Sequence, residues 1–165
     1  MDEISGWIRG RLPEGWYDGA PEITVDREEI VVVGRIRAPD ESGDAASERA
    51  AEAGRIQRFR EDTRAERMQV AREAEHKFGR KVAWGAECGE TRQVFTSLSV
   101  PMMTRLRQPE RRVLDTLVAA GVARSRADAL GWCVRLVGRH EGEWIDKLRD
   151  ALVAVDQVRA AGPAG

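Results

Sequence analysis

Lysine is nearly missing from this chain. Only Lys77, Lys81 and Lys147 occur among 27 basic residues, so the positive charge is almost wholly arginine. A guanidinium fork suits phosphate oxygens and guanine edges better than an ammonium does, although a GC-rich genome yields the same bias whatever the function. Cysteine is scarce too: Cys88 and Cys133 lie far apart and outside any C-x-x-C pair. That excludes a disulfide framework and a zinc-finger spacing and leaves two buried thiols as the expectation. The histidines are His76 and His140, neither beside a serine or cysteine in a nucleophile motif, so both read as surface residues. A metal site would have to draw these four residues singly from four elements, and none is expected. No glycine cluster forms a Walker or dinucleotide fingerprint, and no acidic loop has calcium spacing. The expectation is a non-enzymatic protein with no catalytic residues, cofactor or metal. No run approaches the roughly 18 apolar residues of a membrane span. The opening Met1-Asp2-Glu3 is acidic where a signal peptide is basic, so a cytoplasmic protein without a membrane partner is expected.

What is present is a charge asymmetry hidden by a net charge of −1. Residues 1–53 carry 6 basic and 13 acidic side chains, 54–80 carry 8 and 5, 81–140 carry 10 and 5, and 141–165 carry 3 and 5. The positive charge is central, and the N-terminal third is acidic.

Along the chain, Trp7 to Tyr17 mixes glycine, proline and two tryptophans, which predicts short turns pinned by aromatics. Glu22–Val25 and Ile30–Ile36 are β-branched runs separated by four polar residues, a hairpin pattern. The run Ile30 to Val33 is apolar on both faces and needs cover on both. From Ala38 to Ala53 the residues are small and polar, as in a flexible linker. Residues 54–78 predict one amphipathic helix stopped by Gly79, with Ile56, Phe59, Thr63, Val70, Ala74 and Phe78 on one side. A second hairpin follows, from Val82–Cys88 and Val94–Val100 around Gly89 to Arg92. Three helices complete the chain. The first opens at Pro109, the second is capped at Ser125, and the third carries Trp144, Ile145, Leu148, Leu152, Val155 and Val158 at spacings of three and four.

The fold class is therefore α+β, divided as an acidic β-hairpin unit (1–37), a flexible linker (38–53), a basic helix, hairpin and three-helix region (54–161) and a disordered tail (162–165). Within it, Thr96-Ser97-Leu98-Ser99-Val100-Pro101, Arg111-Arg112-Val113-Leu114-Asp115-Thr116-Leu117 and Gly121-Val122-Ala123-Arg124-Ser125-Arg126-Ala127-Asp128-Ala129-Leu130 together resemble the ribbon-helix-helix family of bacterial DNA-binding proteins. The resemblance covers about residues 96–137. It implies an obligatory homodimer whose paired strands lie in the major groove of double-stranded DNA, with a capped helix N-terminus facing a phosphate. The implied DNA-contacting residues are Ser97, Ser99, Arg105, Arg107, Arg124, Ser125 and Arg126, in a transcriptional regulator. Pro101 to Gly121 is longer than the family's strand-to-joint distance, so the strand can instead be Met102 to Leu106, with Arg105 and Arg107 reading DNA. Three other readings stay open: a helix-turn-helix using the same arginines, an RNA-binding α+β fold, and a protein-interaction module that self-associates or binds a partner through the third helix. The tryptophan-rich N-terminal unit is the expected place for a protein partner, an effector or a self-masking contact.

Overall fold

The computed structural model describes residues 2–39 and 43–162. They form an α+β protein that divides into two units, Met1–Met102 and Met103–Gly165. The first unit contains α1 (Asp2–Arg11), β1 (Glu22–Val25), β2 (Glu29–Arg35), α2 (Ala45–Asp62), α3 (Arg64–Phe78), β3 (Lys81–Cys88) and β4 (Thr91–Val94). The second contains α4 (Gln108–Ala119), α5 (Arg126–His140) and α6 (Gly142–Ala161).

The sheet runs β1-β2-β3-β4, with β1–β2 and β3–β4 antiparallel and the central β2–β3 pair parallel from Glu29↔Lys81 to Arg35↔Glu87. Both expected hairpins thus belong to one sheet, joined by the α2–α3 crossover that a parallel pair requires. Strand alternation explains the core. Ile30, Val32 and Ile36, with Trp84, Ala86 and Cys88, share one face and pack with Ile8 of α1, Ile56 and Phe59 of α2, and Val70 and Ala74 of α3. The opposite face carries Arg92, which is ion-paired to Glu22 at 3.0 Å and to Glu87.

Several expectations are corrected here. Trp7 to Arg11 lies in helix α1, because Ile4, Trp7, Ile8 and Leu12 recur at helical spacing and Ile8 reaches full burial. Residues 45–53, expected as linker, form the first half of α2. Asp44 caps it by accepting from the Ser47 amide at 2.8 Å, and Glu52 accepts from the Thr91 hydroxyl at 2.6 Å, which ties the helix to the β3–β4 turn. The helix and hairpin of residues 54–94 complete the N-terminal sheet and are not grouped with the C-terminal helices. The single helix over 54–78 is broken at Thr63, whose hydroxyl donates to the Phe59 carbonyl at 2.6 Å and accepts from Arg67 Nε at 2.9 Å. The strand expected over 94–100 ends at Val94. The Phe95 amide makes one more ladder bond, 2.7 Å to the Trp84 carbonyl, and its ring then turns into the core, so 96–107 belong to no helix or strand. Residues 40–42 of the expected linker and 163–165 of the expected tail lie outside the described residues.

Candidate nucleic-acid interface

The sequence places its DNA-contacting candidates in both units. Ser97 and Ser99 are exposed in the extended end of the first unit, where Ser97 borders a recess shared with Glu29, Lys81 and Leu98. Arg105, Arg107, Arg124, Ser125 and Arg126 belong to the second unit.

In the second unit, residues 103–107 lie outside any helix or strand and lead directly into α4, with Arg107, in extended conformation, as its N-cap (φ −80°, ψ 174°) and Pro109 in its first turn. Leu106 is half-buried against the small core of Leu114, Ala123 and Ala129, while Arg105 and Arg107 are exposed. Leu106 thus anchors the segment to the core while the arginines on either side of it stay in solvent. Gly121 at φ +73° makes the left-handed joint after α4, and the Val122 and Ala123 amides return to the Leu117 carbonyl at 3.0 and 3.3 Å.

Ser125 caps α5 as its sequence predicts: its hydroxyl accepts from the Asp128 amide at 3.2 Å. Asp128 reaches back one residue beyond the usual capping box and accepts from the Arg124 amide at 3.0 Å, and this bond is the main cause that lowers its carboxyl below the ordinary range. That carboxylate occupies the helix start, where an anion would otherwise sit, so it opposes a phosphate at the amides. Arg124 itself is free to reach outward: its side chain is 95% exposed, with only a 3.7 Å approach to Asp128. Arg126 is placed differently. Its fork donates to both oxygens of Asp115 at 2.6 and 2.8 Å, clasping the start of α5 to the middle of α4. The sequence offered no sign of this pair, which joins residues eleven apart across a joint. Of the four arginines the sequence singles out in this unit, Arg105, Arg107 and Arg124 are exposed without a close carboxylate pairing, while Arg126 holds the two helices together.

A second feature escaped the sequence. In the first unit, Trp16, Tyr17 and Phe59 stack edge-on or tilted at 5.4–6.4 Å beside a recess of about 690 Å³ whose other wall includes Arg37, Arg55 and Asp62. A neighbouring recess of about 500 Å³ adds Arg58 to Arg37 and Arg55. Aromatic rings at one end and guanidinium groups at the other form a place for a small organic anion with a planar or apolar part. Beneath it, Arg67 is buried with no carboxylate among its described bonds. It donates to the Thr63 hydroxyl and the Arg60 carbonyl and lies 4.9 Å from the Phe95 ring centroid; burial lowers its pKa, and burial also raises that of Tyr17.

The two units coincide with two family models. Residues 2–94 match that of the Rv1265-like protein, N-terminal domain, and residues 107–159 match that of the Mb1296 C-terminal domain. The chain belongs to the Rv1265-like family. It is 57% identical over 157 residues to the uncharacterized protein Rv1265 of Mycobacterium tuberculosis (strain ATCC 25618 / H37Rv) and equally to the uncharacterized protein Mb1296 of Mycobacterium bovis, a match covering 95% of this chain and 69% of each relative. No solved structure matches. Residues 95–106 fall between the two matched regions. No described helix is long and apolar enough to cross a membrane.

Proposed function

We propose that the chain is a homodimeric double-stranded DNA-binding protein, acting in transcriptional regulation, whose residues 103–140 form one half of a ribbon-helix-helix. The observation that carries this reading is the second unit's combination of a leading segment, 103–107, that belongs to no helix or strand with very little core. Only Leu114, Ala123 and Ala129 are buried among its described residues, while Met103, Val113, Val122, Val134 and Val137 are exposed. Three helices with so little interior are not expected to stand alone in water. A second copy pairing its own 103–107 antiparallel to this one would satisfy the unpaired backbone and cover exposed valines. The resulting ribbon would present Arg105 and Arg107 of both copies on its outer face, with Arg124 available to the flanking phosphate backbone. Residues 105–139 hold eight arginines and three carboxylates, the local charge such a surface needs.

The test is fluorescence anisotropy of the full chain on a mixed-sequence duplex over a salt series. If Arg105, Arg107 and Arg124 contact phosphates, replacing all three by alanine shallows the log-log salt slope by about 5 units for a dimer, at about 0.9 per phosphate. If the strand arginines read bases, the loss depends on sequence instead. Absence of wild-type binding at low salt would end the DNA reading.

A second reading concerns the N-terminal unit, where the aromatic and guanidinium recess supports an effector site for a small organic anion. A thermal-shift panel of aromatic carboxylates and phosphate esters tests it: stabilisation by one class that is lost in Arg55→Ala supports the site, and a flat panel removes it.

A further inference from the structure

The last helix of the second unit, α6, buries none of its residues among the described chain, yet it carries Trp144, Leu148, Leu152, Val155 and Val158 as exposed apolar side chains. Its apolar positions have a heptad order. Ile145, Leu148, Leu152 and Val155 recur at three, four and three, the a/d seam of a coiled coil, with Trp144, Ala151 and Val158 alongside at g. Of the helix's own ion pairs, Lys147–Glu143 at 2.9 Å joins positions remote from this seam, while Arg149, held by Asp146 at 2.6 Å, flanks it at e.

We infer that α6 is a self-association surface whose occupant is α6 of a second copy, running antiparallel about a two-fold axis near residue 150. Charge selects both the partner and the direction. The seam is bounded by Glu141 at its start and Arg159 at its end, in the d and a positions that continue it. In an antiparallel pair each residue faces the one whose number brings the sum to about 300. Ile145 then meets Val155, Leu148 meets Leu152, and Glu141 of each copy meets Arg159 of the other. At the g flank Ala151 faces Ala151 across the axis, where a small side chain lets the helices approach, and bulky Trp144 faces Val158; at the e flank Arg149 faces Arg149, each neutralised by Asp146 of its own helix. A parallel pair would instead set Glu141 against Glu141 and Arg159 against Arg159 in the seam, like charges at both ends. From Glu141 to Arg159 the surface is about 27 Å long at 1.5 Å per residue, and it is isologous, as a two-fold dimer requires. In the single chain Arg159 makes only a loose 3.6 Å contact with exposed Asp156, which leaves it available to the other copy.

This pairing uses none of residues 103–107 and needs no DNA, so it stands or falls apart from the ribbon reading. Sedimentation of the full chain without DNA, across micromolar concentrations, tests it with Glu141→Arg, Arg159→Glu and the double reversal. Each single reversal puts two like-charge pairs into the dimer and weakens the α6 association step by about tenfold, and the double reversal restores it, with helix content by circular dichroism unchanged throughout. Ala151→Cys provides a second readout. It forms a disulfide-linked dimer under mild oxidation that wild type, with Cys88 and Cys133 alone, does not form, whereas Leu148→Cys is the position a parallel pair would link. A wild-type chain monomeric at all concentrations, single reversals without effect, a double reversal that fails to recover, or cross-linking through Leu148→Cys and not Ala151→Cys would each overturn it.

Discussion

At the scale of single residues, the two arginines that flank Ser125 have different jobs despite their adjacency. Arg124 projects into solvent, whereas Arg126 is held by Asp115. Arg124→Ala is therefore expected to shallow the salt dependence of DNA binding by about 1.8 units for a dimer, at about 0.9 per phosphate. Arg126→Ala should chiefly lower the melting temperature of the second unit. Its pH signature separates the two further. The hydrogen bond from Arg126, and then its charge, holds the Asp115 carboxyl below the usual carboxylate range. A depressed carboxyl contributes stability that is complete above its unfolded value and is lost as pH falls through the folded one. Acid titration of the wild type should thus show a destabilising limb below about pH 4 that is smaller in Arg126→Ala, followed by circular dichroism. Gly34 is a second residue-scale constraint. A Cβ there would lie 2.2 Å from ring atoms of Tyr17, whose hydroxyl donates to the Gly85 carbonyl at 3.3 Å, so the ring lies across the strand because no side chain stands in its way. Gly34→Ala should cost about 1–3 kcal/mol in denaturant unfolding, the usual range for overpacking, and a neutral outcome would show that Tyr17 moves freely.

At the scale of elements, Phe95 ends the sheet and begins the extended stretch. It is 8% exposed, 6.3 Å from Phe59 and under the Arg67 guanidinium. Phe95→Ala should destabilise the first unit by about 3 kcal/mol, read from the shift of its denaturant midpoint. The same elements show what local patterning can reveal. The first hairpin, the C-terminal helices and the Ser125 cap were legible because β-branched runs, helical spacing and cap chemistry are local signals, whereas the second hairpin closes early, its outer strand being Thr91–Val94 and not the alternating run 94–100. The start of α2 was not. Alanine, serine and glutamate make up both flexible linkers and good helices, and only Ile56 and Phe59 further along anchor it to the core. Helix α1 was masked by Gly10, Pro13 and Gly15, which suggested turns over Trp7 to Tyr17 although Ile4, Trp7 and Ile8 have helical spacing. Pairing between β2 and β3 was invisible for a different reason, since partners separated by two helices leave no mark on either strand alone. The candidate site was legible in its exposed arginines and opaque in Asp115, whose role depends on a joint bringing two helix faces together.

At the scale of the whole molecule, each unit has its own apolar cluster and the two clusters share no residue. The first joins three helices to a sheet, while the second has three buried residues among those described. Calorimetry of the full chain should therefore resolve two transitions. The one belonging to the second unit should rise in temperature with protein concentration, as dissociation coupled to unfolding demands, while the other stays fixed. A single concentration-independent transition would contradict both the division and the dimer.

The parallel pairing of β2 with β3 also bears on synthesis. Because the two central strands are separated by the whole α2–α3 crossover, the N-terminal hairpin leaves the ribosome with one long edge unpaired and Ile30, Val32 and Val33 without their final cover. It remains in that state until Lys81–Cys88 has been made and has cleared the exit tunnel. At ordinary elongation rates this interval lasts several seconds, long enough for a holdase chaperone to bind. Ribosomes arrested before Cys88 should carry nascent chains sensitive to protease, and those arrested well beyond Phe95 should carry protected ones.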